Sequence, residues 1–364
     1  MPAKKLKLHI GHSKCGSTSI QRWLNANQDT LRDARIFIFG RELTSSIEGR
    51  VIGTANAYVA NQGNWSAAID RLKRLASEAP ESAVFILSAE FMGRPAFVPF
   101  LQGLGDTFEI EVVHYIRNQA DWCYSAWSQW QVKQGVDLQQ WVDRCSEAIN
   151  PNFWGVYRAF SKSKANLKSY DMRLLNRGFL HEGDLTRDFA HLIAPGLDGL
   201  VFDSARFNMG MDPAMLEVFK SSEFLFEGSR DNRLVDWVRK HFPPAVSEAK
   251  GRLSLEQTRQ VMSAHAGQNE RIRDSFFSDR KDDFNRVFGL DVHSQAALAE
   301  PAARKAGKTQ AIDEAEQLRR ALGYVIGAMW QGEVEHEKFK KSANRRIAEL
   351  SARLARLESK KKKP

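Results

Sequence analysis

Long apolar runs are missing from this chain. No stretch approaches the roughly 20 residues needed to cross a bilayer, and a strand pattern begins as early as Leu6, so neither a membrane span nor a secretory leader is expected. Cysteine is scarce: Cys15, Cys123 and Cys145 have spacings that fit neither a disulfide framework nor a zinc site. That usage predicts a reducing, cytoplasmic setting. No His/Cys/Asp cluster has ligand spacing either, so no metal site is expected. Net charge is scarce over most of the chain as well. The total is +9, but residues 341–364 alone hold nine Lys/Arg and two Glu. The remaining 340 residues are nearly neutral at +2. Basicity therefore belongs to the tail, and nucleic acid is not an expected partner. A 364-residue chain of ordinary composition has material for one large α/β domain plus an extension, or for two domains.

What is present is concentrated near the start. Leu6, Leu8 and Ile10 alternate as in a short strand, and Gly11 to Gly16 bound a tight loop. From Ser17 onward Ile20, Trp23 and Leu24 share one helical face. Strand, glycine-bounded loop and helix N-terminus form an architecture that binds phosphate, because converging N–H groups and the helix dipole both favour an anion. The bland alternative is a structural strand–helix turn whose glycines only relieve crowding. The nucleotide-triphosphate pattern G-x-x-x-x-G-K-[ST] is not met, since Ser17 follows the second glycine and the lysine has moved inside the loop, to Lys14.

With that placement, Ser13-Lys14-Cys15-Gly16-Ser17-Thr18-Ser19 resembles the 5′-phosphosulfate loop of the sulfotransferases, usually P-K-x-G-T-T or P-R-x-G-T-T. These enzymes take a sulfuryl group from 3′-phosphoadenosine-5′-phosphosulfate (PAPS). Ser13 in place of Pro and Ser17 in place of the first Thr are mild departures. The resemblance implies that Lys14, Cys15, Gly16, Ser17, Thr18 and Ser19 hold the phosphosulfate, with Lys14 at the bridging oxygen as it leaves. It implies no magnesium ion, since a transferring sulfuryl carries less negative charge than a phosphoryl.

Later segments extend the likeness. Val84 to Ser88 and Val112 to Ile116 read as buried parallel strands, the second ending in Arg117. Sulfotransferases carry a strand ending in Arg with Ser eight residues on, both contacting the 3′-phosphate of PAPS, and Arg117 and Ser125 have that spacing. A guanidinium fork and a helical hydroxyl suit a phosphate. The nearby Trp122, Trp127 and Trp130 read as core rather than as a platform for adenine. Ser88-Ala89-Glu90 resembles the S-S-E of bacterial glycan-type sulfotransferases, and Gly183 to Phe189 resembles their G-D-L-x-x-D-F segment. Arg206-Phe207-Asn208 with Met211-Asp212-Pro213 resembles their N-x-S-x-S/D-P loop. The likeness spans roughly residues 5–290.

The expected fold is α/β: a P-loop-type parallel sheet flanked by helices, with a C-terminal helical extension. Further strands and helices are expected at 36–40 and 65–78, and alternation of the two predicts a sheet whose ligands lie beyond the strands' carboxyl ends. The plan is a sulfotransferase-like domain over 1–290, a linker over 291–311, and a helix or short coiled coil with a basic tail over 312–364. In that last segment Ile347, Leu350, Leu354 and Leu357 follow heptad spacing and Lys360 to Lys363 follow them. Packing back on the domain, homo-oligomerisation and contact with an anionic membrane surface all fit such a helix.

Transfer to a hydroxyl needs a base. Glu90, at the end of the strand beside the loop, is the first candidate, and Glu42, 28 residues after Lys14, is the second. His12 lies in the loop within reach of phosphosulfate, whereas His9 and His114 read as structural. The expected activity is sulfuryl transfer from PAPS to a hydroxyl of a glycan or glycolipid. The rivals are a P-loop nucleotide kinase and a non-enzymatic nucleotide-binding scaffold that presents a basic helix.

Overall fold

The computed structural model describes residues 3–53, 65–203, 210–221, 225–242, 246–247 and 251–289, with separate helical positions between 321 and 345. The chain divides into two compact units. The first comprises 1–127, 138–208 and 252–305; the second takes 128–137, 209–251 and the segment from 306 on. The span 1–290, read from sequence as one domain, thus contributes two pieces to the second unit. The expected linker at 291–311, the heptad residues from Ile347 on, the Lys360–Lys363 run and Arg206 to Asn208 lie outside the described residues.

The first unit is built on five strands: β1 (Lys4–Gly11), β2 (Ile36–Ile38), β3 (Val84–Ala89), β4 (Phe108–Ile116) and β5 (Leu167–Leu174). They pair in the order β2-β3-β1-β4-β5, all parallel. The α/β parallel sheet expected from the alternating pattern is therefore present, with helices flanking it. β1 is the middle strand, paired with β3 and β4 and buried from Leu8 to Gly11. Leu6, Leu8 and Ile10 are fully buried on one face with Phe85, Leu87, Phe108 and Ile110. Helices α3 (Ser66–Glu78), α4 (Val98–Leu104) and α7 (Phe153–Ser161) cover that face through Leu72, Leu75, Phe100 and Phe160. On the opposite face His9 meets Phe189 of α8 (Leu185–Ile193), which also packs on Trp23 of α1 (Ser17–Ala26).

A short α2 (Gln28–Asp33) joins α1 to β2, and α5 (Gln119–Ala126) and α6 (Leu138–Glu147) follow β4. The second unit contains α9 (Pro213–Ser221) and α10 (Arg233–His241) with a two-stranded pairing of 210–211 and 246–247. Back in the first unit, α11 (Leu255–Phe276) opens with a reciprocal capping box between Ser254 and Gln257, and α12 (Lys281–Phe288) follows it. No helix among the described residues is long and apolar enough to cross a membrane.

The sheet order places the loop. From β1 the chain reaches β3 on one side and β4 on the other, so the strand order reverses at the carboxyl end of β1. Such a switch point opens a crevice where ligands of parallel sheets sit. Gly11 to Gly16 occupy it.

Candidate active site

Gly11 and Gly16 are each required for a steric reason. A Cβ on Gly11 would stand 2.3 Å from Ser17 Oγ and 3.1 Å from the Glu90 Cα, so the bare backbone lets the end of β3 close on the loop. Gly16 has φ +88°, and a Cβ there would meet Leu185 of α8 at 2.3 Å. One residue earlier but one, Lys14 is also left-handed, at φ 67°. A non-glycine residue in that region costs on the order of 1–3 kcal/mol, and such strain clusters where a backbone is shaped for a ligand. Alternating turns of this kind aim successive N–H groups into one concavity.

The first turn of α1 is open to an anion. Gly16 caps it with no side-chain hydrogen bond, and the Ser17 hydroxyl is buried with no hydrogen-bond partner among the described residues. A buried hydroxyl left unmade is costly unless something completes it. A phosphate or phosphosulfate group fits that demand, with Lys14 in the loop as the cation.

Three of the charged candidates converge here. Cys15 is fully buried at the loop's heart, and its thiol is pushed up to about 12, chiefly by that burial. Lys14 and Arg117 act on it against the shift and Glu90 adds to it, so all three charges lie within electrostatic reach of one buried atom. Arg117 follows directly on β4, and its guanidinium reaches the Lys14 carbonyl at 3.5 Å. Trp122 of α5 donates its indole N–H to the Ser13 carbonyl at 2.7 Å, pinning that helix to the loop. Trp122 and Trp127 are buried, consistent with their reading as core, and Trp130 is half-buried.

Beside Arg117 lies a cavity of about 210 Å³, walled by Asn118 and Asp121 at the head of α5, Leu175 and Asn176 after β5, and Arg286 of α12. Asn118 caps α5 by accepting from the Ala120 and Asp121 N–H groups, and donates to the Val287 carbonyl at 2.7 Å. It thereby fixes α12 against the same wall. Asp121 stands 3.8 Å from Arg117 but is 56 % exposed. So loose a surface pair contributes about 0–1 kcal/mol. Ser125 lies one helical turn beyond Asp121 on the same face of α5, half-buried.

The two candidate bases are placed differently. Glu90 begins the short turn after β3, against Gly11. Glu42 is exposed in the turn after β2, two strands away from β1. No group of three His, Cys, Asp or Glu among the described residues is arranged to hold a metal ion.

Two features escaped the sequence reading. Arg286 lines the cavity beside Arg117, although along the sequence it is one more cation on an amphipathic helix. His12 is bonded to His114 and, through it, to Tyr170, three residues whose spacing has no period.

The buried histidines predict an acid-sensitive fold. His9 and His114 are at most 1 % exposed, and burial lowers both pKa values, that of His9 to about 3. The folded state thus excludes protons that the unfolded chain takes up near pH 6.5. Stability is then complete above that pH and is lost as pH falls from about 6.5 toward 3. At pH 5 His9 alone removes about 2 kcal/mol, and His114 adds in the same sense. Urea midpoints measured at pH 7 and pH 5 should differ accordingly; equal midpoints would mean that these rings are charged or exposed in the native protein.

No family model, no curated protein and no solved structure matches the chain.

Proposed function

We propose that the chain is a PAPS-dependent sulfotransferase that moves a sulfuryl group to a hydroxyl of a glycan or glycolipid acceptor. The observation that carries the reading is that Arg117 and Glu90 both close on the Lys14 loop at the switch point of the sheet, Arg117 through the Lys14 carbonyl and Glu90 against Gly11. In this reading the loop amides, Ser17, Thr18 and Ser19 hold the 5′-phosphosulfate. Arg117 and Ser125 take the 3′-phosphate. Glu90 receives the acceptor proton as its oxygen attacks sulfur in line. Lys14 neutralises the bridging oxygen as the S–O bond breaks and 3′-phosphoadenosine-5′-phosphate (PAP) departs.

A nucleotide kinase is the second reading, favoured by the parallel sheet with a carboxylate, Glu90, at the end of the strand beside the loop. Transfer of ³⁵S from labelled PAPS to a cell-extract acceptor pool, with and without EDTA, separates the two. The sulfotransferase reading expects label transfer that EDTA does not abolish. Phosphoryl transfer from ATP that needs magnesium, with no ³⁵S transfer, would instead establish the kinase.

Arg117→Ala is expected to weaken PAP binding by about ten- to a hundredfold, the loss of one charge-assisted phosphate contact. Unchanged affinity by calorimetry would remove Arg117 from the nucleotide site. Lys14→Ala should lower turnover more than it lowers PAPS affinity, because its charge matters most as the leaving oxygen becomes negative. Equal losses in both would make Lys14 a binding residue only.

A further inference from the structure

Three side chains from separate elements form a hydrogen-bonded row that ends in the loop. Tyr170 stands on β5, His114 on β4 and His12 between Gly11 and Ser13. The Tyr170 hydroxyl is 2.7 Å from His114 Nδ1, and His114 Nε2 is 2.9 Å from His12 Nδ1. The imidazoles stack with centroids 5.1 Å apart, and Phe153 packs edge-on against both. With Nδ1 engaged in the row, Nε2 is the other polar atom of the His12 ring.

Each contact needs one donor and one acceptor, so neutral rings allow two patterns. If Tyr170 donates to His114 Nδ1, then His114 Nε2–H donates to His12 Nδ1, and His12 carries its own proton on Nε2. If Tyr170 accepts instead, the order reverses and His12 Nε2 keeps a lone pair. The surroundings of Tyr170 decide between them. Tyr170 is half-buried, its ring is edged by Tyr157, Phe160 and Phe276, and its hydroxyl is bonded to His114. Donating to His114 satisfies the phenol proton within the row, whereas accepting would leave that proton outside it. Phenol is also the stronger acid and imidazole the stronger base, which favours the same sense. Burial keeps both imidazoles neutral, and the Arg94 guanidinium adds to that at His12.

We propose that Tyr170 and His114 fix His12 as its Nε2–H tautomer, so that the loop offers a bound phosphosulfate a neutral imidazole donor and no proton acceptor at this position. Tyr170 and His114 are positioning residues; His12 is the group that meets the anion. The role assigned to His12 rests on the phosphosulfate reading of the loop. Its chemical consequence is a division of labour. A preorganised N–H stabilises charge that develops on the transferring group, and the acceptor proton goes to a carboxylate.

The test is a long-range ¹H–¹⁵N correlation spectrum of the full chain at pH 7. His12 and His114 are both expected to show protonated Nε2 and bare Nδ1. A wild-type His12 protonated on Nδ1 would overturn the proposal without any variant. Tyr170→Phe removes one oxygen and does not touch His12, yet the His12 tautomer should shift with that of His114; a His12 signal left unmoved would show that the row does not set it. Addition of PAPS should then move the His12 Nε2–H resonance. If calorimetry detects no PAPS binding, the cofactor reading fails while the tautomer result stands. If PAPS binds and the resonance stays, the donor role is overturned. In turnover, His12→Gln, which keeps an N–H but cannot act as a base, should retain far more activity than His12→Leu, whose loss is expected at about 10²–10³-fold. Equal inactivity of the two would make His12 the base.

Discussion

Glu90→Gln is expected to reduce sulfuryl transfer by about 10²–10⁴-fold, the usual contribution of a positioned general base, while leaving PAP affinity unchanged. The expectation follows from position. β1 and β3 pair in register up to Ile10 and Ala89, so the next residues of each, Gly11 and Glu90, arrive together at the carboxyl edge. The Glu90 Cα stands 3.1 Å from where a Gly11 Cβ would be, and its charge is felt at Cys15. Glutamine keeps the shape and removes the basicity. Glu42→Gln is the internal comparison and should be the milder change, since Glu42 is exposed beyond the edge strand β2. If Glu42→Gln is inactive and Glu90→Gln is active, the two roles are reversed and Glu90 serves the fold.

The largest stability loss is expected from Asp188→Ala, at about 3–5 kcal/mol. Asp188 of α8 is fully buried and accepts four hydrogen bonds. Arg173 of β5 donates through Nε at 2.7 Å and Nη2 at 2.6 Å, Tyr115 of β4 through its hydroxyl at 2.6 Å, and His181 through its backbone N–H at 2.7 Å. Burial would raise the Asp188 pKa, but the bonds from Arg173 and Tyr115 outweigh it and hold the carboxyl below its ordinary range. Alanine would leave the Tyr115 hydroxyl unmet and the Arg173 charge with the half-buried Asp171 as its ion-pair partner among the described residues. Because α8 also supplies Leu185 against Gly16, the loss should loosen the loop as well as the sheet. Urea titration of the variant measures it; a change below about 1 kcal/mol would show that the network is solvated rather than buried.

The core of this architecture was legible because its residues repeat. Leu6, Leu8 and Ile10 alternate, Val84 to Ser88 run unbroken, and Ser66–Glu78 keeps a helical stripe. β5 was not legible. Leu-Lys-Ser-Tyr-Asp-Met-Arg-Leu carries polar side chains because an edge strand is half solvated, and its pattern resembles a loop. β4 begins four residues before the expected Val112, since Phe108 to Glu111 alternate with charge where the strand emerges. In the site, the loop and Arg117 stand out through spacing and position at strand ends. The Gly183–Phe189 segment gave a likeness without a reason; the reason is that Asp184 caps α8 while Asp188 anchors Arg173. The His12, His114 and Tyr170 row and Arg286 had no sequence signal, because only the register of β1, β4 and β5 and the packing of α12 bring them together.

Under the proposed function, this loop and Arg117 select a nucleotide bearing a 3′-phosphate. Calorimetric titration of the full chain with PAP and with ADP, both in EDTA, tests it most directly. PAP is expected to bind about ten- to a hundredfold more tightly than ADP, from the added contacts at the 3′-phosphate. Equal affinities for the two nucleotides, or binding that appears only for ATP with magnesium, would contradict it.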